Sequence, residues 1–153
     1  MRACDFYVRT ALGPATITLQ DGEVLAVQLG ARRGSAEQQI ADAQTAELLQ
    51  QIVAVLDGGA GELPLRLIGS PWQRRVWSAL LVIPLGQTLS YGQLACRLGC
   101  PTAARAVARA CASNQLAVLV PCHRVIASNG SLSGYRWGPE VKRQLLQREG
   151  VIP

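Results

Sequence analysis

Runs of β-forming residues open the chain: ATITLQ and EVLAVQLG flank Asp21-Gly22, a pair that favours a type I′ turn, so this stretch predicts a β-hairpin. A loop at Arg32 to Gly34 follows. Beyond it Leu48, Leu49, Ile52, Val53 and Leu56 recur at spacings of three and four, the period of a helix with one apolar face. Gly58-Gly59 ends that helix, GELP at 61–64 is a candidate linker, and LRLI at 65–68 predicts a short strand. Residues 1–65 thus read as a small α+β domain.

From residue 66 to 153 the pattern is mostly helical. In SPWQRRVWSALLVI, Ser70 is a suitable N-cap, Pro71 fits the first helical position and Gln73 completes a capping box. Trp72, Val76, Leu80 and Ile83 supply its apolar stripe, and Pro84 to Gly86 end it. Ser90 and Gln93 repeat the start signal in SYGQLACRLG, and Gly99 repeats the stop. CPT then turns the chain into TAARAVARACAS. Two short helices around a tight Gly-containing turn describe a helix-turn-helix, whose second helix is the one that enters a nucleic-acid groove. That helix carries Ala103, Ala104, Ala106, Ala108 and Ala110 between Arg105 and Arg109. Its thinness suits close approach to DNA, although alanine is also simply the best helix former. Asn129-Gly130 predicts a second tight hairpin turn, forming a small wing. A last helix is expected from about Pro139 to Glu149, capped by Gly150.

Charge sharpens this division. Residues 1–65 hold four arginines against eight carboxylates, a net −4, whereas 66–153 hold ten arginines and Lys142 against Glu140 and Glu149, a net +9. A basic half of this kind is the electrostatic footprint of a phosphate-binding surface. No stretch approaches the roughly 20 apolar residues of a membrane span, and MRACDFYVRT lacks the apolar block of a signal peptide. Five cysteines without a secreted-framework spacing suit a reducing, intracellular compartment.

The candidate chemistry lies in LVPCHRVI, where the chain's one histidine, His123, directly follows Cys122. A cysteine attacks as thiolate, and a neighbouring imidazole is a common means of populating it. Pro121 fixes φ and removes a donor, which predicts a constrained, non-helical corner. Cys96 and Cys111 fall in apolar helices, Cys100 in a turn and Cys4 near a terminus, settings that favour buried or incidental roles. Zinc could draw on Cys96, Cys100, Cys111, Cys122 and His123, but no C-x-x-C pair exists, and no metal is expected. A papain-like hydrolase needs a histidine folded in from far along the chain, and there is none.

These residues match a known pattern. PCHRV, preceded by IPLGQTLSYG and ARAVARACASNQ and followed by GSLSGYRWG and KRQLLQREG, closely resembles the O6-alkylguanine-DNA alkyltransferases, and most of all the alkyltransferase domain of the bacterial adaptive-response regulator. The resemblance runs from about Gly69 to Gly150. It implies a ribonuclease-H-like N-terminal α/β domain over 1–65, matched only in outline, and a winged helix-turn-helix domain over 66–153.

The resemblance also implies a function: single, irreversible transfer of an alkyl group from O6 of guanine to Cys122, after flipping of the nucleotide, with no cofactor. His123 would act through a water to deprotonate the sulfur, Glu149 would orient the imidazole, Tyr91 would donate to the departing guanine, and Asn114 would brace the helix-turn-helix against the active-site corner. Arg105 would fill the gap left by the flipped nucleotide, with Ser90, Thr102, Ala106, Ala108 and Arg109 also facing DNA. Backbone groups around Val125 and Arg136 would bond the guanine edges, with Tyr135 and Trp137 completing the pocket. The expected partner is double-stranded DNA, met through the minor groove by a monomer in the bacterial cytoplasm, at the nucleoid when bound.

Some positions depart from the family pattern. Ala108 stands where Gly is frequent, Gln115 where Pro is, and both changes also occur in the adaptive-response branch. Arg136 and Trp137 replace smaller residues and are expected to disfavour bulky alkyl groups. Zinc ligands found in the first domain of some eukaryotic members have no counterpart. The alternatives are a non-catalytic sensor of alkylated bases, which would lack the acceptor cysteine, and a transcription regulator, which would need a further DNA-binding domain.

Overall fold

The computed structural model describes residues 2–30 and 41–153, and the loop expected at Arg32 to Gly34 lies outside the described residues. These fold as two compact units, one running to Leu67 and including Gln115–Leu119, the other made of Ile68–Asn114 and Val120–Pro153.

The first unit is a three-stranded antiparallel meander, β1 (Cys4–Thr10), β2 (Gly13–Gln20) and β3 (Glu23–Leu29), followed by helix α1 (Ala43–Leu56). Asp21 and Gly22 both have positive φ, 53° and 76°, as a type I′ turn requires. Ala15, Ile17 and Leu19 alternate into the core against Val24 and Val27 of β3 and Ile52 and Leu56 of α1. Asp42 caps α1 by accepting from the Thr45 amide at 2.7 Å. Strand β1 adds to the hairpin read from sequence, where CDFYVRT gives little alternation because Phe6 is its one buried residue.

The strand expected at 65–68 is reduced to a single parallel bridge between Leu65 and Val24. The Val24 amide donates to the Pro64 carbonyl and the Arg66 amide to the Val24 carbonyl. Leu116 forms a second bridge with Val27, so two short segments share the edge of β3 and neither runs its length.

The second unit contains α2 (Pro71–Leu81), a two-residue strand β4 (Leu89–Ser90), α3 (Tyr91–Arg97), α4 (Ala104–Ala112), one 3₁₀ turn (Cys122–Arg124), β5 (Val125–Ile126) and α5 (Pro139–Arg148). Both capping boxes form as the sequence indicates: Ser70 with Gln73, and Ser90 with Gln93. Val76, Trp77, Leu80, Ile83, Leu94, Val107, Val120, Leu145 and Leu146 are buried, each such side chain contributing about 1.5–3 kcal/mol. Trp72, expected in the buried stripe, is half-exposed and Trp77 takes the deeper place.

Alanine-rich α4 has few side chains of its own to pack, and α2 holds it through polar tips. Trp72 Nε1 donates to the Ala106 carbonyl at 3.2 Å, Trp77 Nε1 to the Ala110 carbonyl at 2.8 Å, and Gln73 Nε2 to Ser113 Oγ at 3.1 Å. A Cβ on Gly69 would come within 2.7 Å of the Trp77 ring, which explains the glycine just before this helix. The hairpin expected at Asn129-Gly130 is not formed. Gly130 turns the chain (φ 79°), but the Ser131 amide donates to Asn129 Oδ1 and the Ser131 and Ser133 hydroxyls bond each other, so local side-chain bonds displace a strand ladder. β5 instead pairs in parallel with β4.

Candidate active site

Cys122 and His123 lie on the 3₁₀ turn after Pro121, rather than on a wholly non-helical corner. Both are buried, Cys122 being 4% exposed. Asn114, just past the end of α4, donates from Nδ2 to the Val120 carbonyl at 2.9 Å and to Cys122 Sγ at 3.3 Å. Glu149, the C-cap of α5, lies 2.7 Å from His123 Nε2 through Oε2. The first unit contributes none of these groups.

The charges in this site work against one another. Burial pushes the Cys122 thiol up, opposed by the Asn114 hydrogen bond and by the cations Lys142 and Arg136. Burial pushes His123 down, against the pull of Glu149. Although burial alone would raise it, the Glu149 carboxyl is held down to about 2 by hydrogen bonds from His123 and Arg124. An ionised Glu149 accepts, so His123 Nε2 carries the proton and Nδ1 is the basic nitrogen. Among the described residues, His123 Nδ1 and Tyr135 Oη are buried without a hydrogen-bond partner.

The other pocket candidates gather around the sulfur unevenly. Tyr91, the first residue of α3, has its phenol pushed up to about 12 by burial, with smaller contributions from the sulfurs of Cys111 and Cys122. Tyr135 is buried and meets Trp137 edge to face at 5.6 Å. Arg136 stacks over Trp137 at 5.5 Å and donates to the Asn114 carbonyl at 3.0 Å. Val125, expected to offer backbone groups to a base, already donates its amide to the Cys122 carbonyl and accepts from Lys142 Nζ at 2.7 Å.

Two charged residues packed against the site escaped the sequence reading. Lys142 is 1% exposed, its ammonium 5.9 Å from the Tyr135 ring, and its charge lowers the pKa of Cys122. Arg124 grips Glu149 through Nε at 2.9 Å and Nη2 at 3.2 Å. Helical spacing gave a signal for the first, because 142, 145, 146 and 149 share one face of α5 with buried Leu145 and Leu146.

On α4, Arg105 and Arg109 are exposed one turn apart, with Thr102 exposed just before the helix and Ala106 and Ala108 half-buried. Val107, Ala110 and Cys111 face the core. Ser90 spends its hydroxyl on the α3 cap, accepting from Gln93 N. Cys96 is exposed rather than buried, Cys4 and Cys100 are intermediate, and all five cysteines are free thiols. Among the described residues no helix is long and apolar enough to cross a membrane.

Cys122 thus sits on a buried turn beside the His123–Glu149 pair, in the same unit as the arginine-bearing helix α4. Residues 71–151 match the family described as 6-O-methylguanine DNA methyltransferase, DNA binding domain. The chain belongs to that family. It is 50% identical over 117 residues to the regulatory protein Ada of Salmonella typhimurium, covering 75% of this chain and 33% of that protein. It is also 50% identical over 91 residues to the methylated-DNA–protein-cysteine methyltransferase of Saccharomyces cerevisiae, covering 59% of this chain and 48% of that one. The chain thus spans half or less of the length of these curated relatives. Among solved structures, the Mycobacterium tuberculosis OGT in complex with DNA superposes with a TM-score of 0.78 at 33% identity, covering 97% of this chain and 94% of that one.

Proposed function

We propose that the protein reverses alkylation damage directly, moving an alkyl group from O6 of guanine in double-stranded DNA onto Cys122 Sγ, once per chain. The observation that carries this reading is the sulfur held by Asn114 beside the His123–Glu149 pair. The new bond is S–C and the bond that breaks is C–O6. The thiol proton passes through a bridging water to His123 Nδ1, and the departing guanine takes a proton from the Tyr91 phenol, so it leaves uncharged and the site returns to neutrality by proton exchange. A thioether has no easy hydrolysis route, so the protein is consumed.

The lesion base must leave the stack to reach a buried sulfur, at a few kcal/mol. Arg105 fills the gap it leaves, while Ser90, Thr102, Ala106, Ala108 and Arg109 face the duplex from the minor groove. Val125, Tyr135, Arg136 and Trp137 shape the pocket and favour methyl over bulkier groups. In this reading residues 1–65 are a ribonuclease-H-like domain, supported by the antiparallel meander and following helix. Residues 66–153 are a helix-turn-helix domain, acting as a monomer in the cytoplasm without a cofactor.

Mass spectrometry after incubation with a methylated-guanine duplex tests the proposal. One methyl per chain on Cys122, absent from Cys122→Ala, is the expected result. Tight binding to the lesion with an unchanged mass would instead mark a sensor of alkylated bases.

A further inference from the structure

Arg124 makes three hydrogen bonds that no step above requires. Its Nε and Nη2 take opposite oxygens of Glu149, and Nη1 donates to the Ile83 carbonyl at 2.8 Å, beyond the end of α2. The Glu149 side chain is 4% exposed and that of Arg124 15%, so the fork lies largely out of water, where bidentate guanidinium–carboxylate pairing is strong and directional.

Resting on the alkyl-transfer reading, we infer that Arg124 is a positioning residue for His123. By occupying both oxygens of Glu149 and anchoring to Ile83, it makes that carboxylate a single-proton acceptor for His123 Nε2 and leaves Nδ1 bare. The physical argument concerns competition. A buried carboxylate facing an imidazole alone forms an ion pair with imidazolium, and imidazolium has no lone pair with which to accept a thiol proton. A second cation on the same carboxylate removes that incentive, and the neutral tautomer persists. The groups facing His123 are Glu149 and Arg148 at the end of α5 and Arg124 on its own turn, while Glu149 also faces Tyr135. Burial is the largest influence against protonation of the ring, Glu149 favours it, and the cations Arg124 and Arg148 oppose it.

His123 is the only histidine in the chain, so imidazole nitrogen shifts measured by NMR on isotope-labelled protein report it without assignment. The wild type is expected to show the neutral Nε2–H tautomer at neutral pH. Arg124→Met is expected to show imidazolium there, with single-turnover methyl transfer slowed about tenfold at pH 7 for each unit by which the ring is raised, and regained as pH rises. Arg124→Lys keeps the charge without the fork and is expected to fall between. Imidazolium in the wild type at neutral pH overturns the role, and this arm stands even if Arg124→Met fails to fold. So does an Arg124→Met protein with the wild-type tautomer and pH profile, or an Arg124→Lys protein indistinguishable from wild type. A wild type that never gains a methyl on Cys122 defeats the transfer reading separately, while the nitrogen shifts still report on Arg124.

Discussion

Asn114 offers one carboxamide nitrogen to two acceptors, the Val120 carbonyl at 2.9 Å and Cys122 Sγ at 3.3 Å. Because Asn114 follows directly on α4, the residue that steadies the sulfur is continuous with the helix proposed to meet DNA. Replacing it by alanine deprives the Val120 carbonyl of this donor, at about 1–3 kcal/mol of stability, and removes one influence that favours the thiolate. Asn114→Ala is expected to transfer methyl at least about tenfold more slowly. Asn114→Asp, which turns a negative charge on the sulfur, is expected to be slower still at nearly the same size. Urea unfolding and single-turnover mass measurements check both, and an Asn114→Asp protein as fast as wild type would show that the contact is idle.

Glu149 ties stability to pH. Its carboxyl titrates near 4.5 ordinarily and is held down to about 2 in the fold, so the unfolded chain binds more protons between these values. The contribution of Glu149 is fully present above about pH 4.5 and is lost as pH falls toward about 2. Unfolding free energies measured across this window are expected to decline more steeply for the wild type than for Glu149→Gln. Parallel curves for the two proteins would mean that the carboxylate gains nothing from its partners.

Much of this molecule is legible in its sequence because local rules dominate where it folds. Ser70, Gln73, Ser90 and Gln93 form the capping boxes their spacing dictates, and Asp21-Gly22 turns as its chemistry requires. The features that were not legible depend on tertiary competition. LRLI has strand character, but Leu65 and Leu116 divide one strand edge. Asn129-Gly130 has a turn signal that says nothing of Asn129 Oδ1 and Ser131 Oγ capturing the Ser131 and Ser133 amides beyond it. In the site, Cys122 and His123 announce themselves as neighbours, whereas the burial that sets their protonation comes from the whole fold. A lysine and an arginine in a basic half look like solvated surface charges until the packing of α5 and the active-site turn encloses them.

Lys142 is the clearest example of such a charge. Its ammonium is buried beneath Tyr135, bonded to the Val125 carbonyl at 2.7 Å, and burial depresses its own pKa while the sulfurs of Cys122 and Cys111 raise it. Lys142→Met removes a cation that favours the thiolate but also a desolvated charge, so the two effects on folding nearly cancel. Stability is expected to change by less than about 2 kcal/mol, while methyl transfer slows about tenfold with DNA affinity unaltered. Thermal unfolding, duplex binding and transfer rates measured together separate these effects. An unchanged rate would remove the lysine from the chemistry.

Arg105 and Arg109 stand one turn apart on the exposed side of α4, and the proposed roles assign them different physics. A phosphate contact gives affinity that falls with salt, with a slope of about −0.9 for each phosphate neutralised. A residue that fills the gap behind a flipped base acts on the extrusion step instead. Arg109→Ala is therefore expected to weaken binding to lesion and undamaged duplex alike and to flatten the salt slope by about one unit. Arg105→Ala is expected to slow transfer from duplex DNA while sparing transfer from free O6-methylguanine, which needs no flipping. Filter binding across a salt series and mass measurements with both substrates check the pair. Equal losses of Arg105→Ala on duplex and free base would place that arginine in the folding of α4 and not in base extrusion.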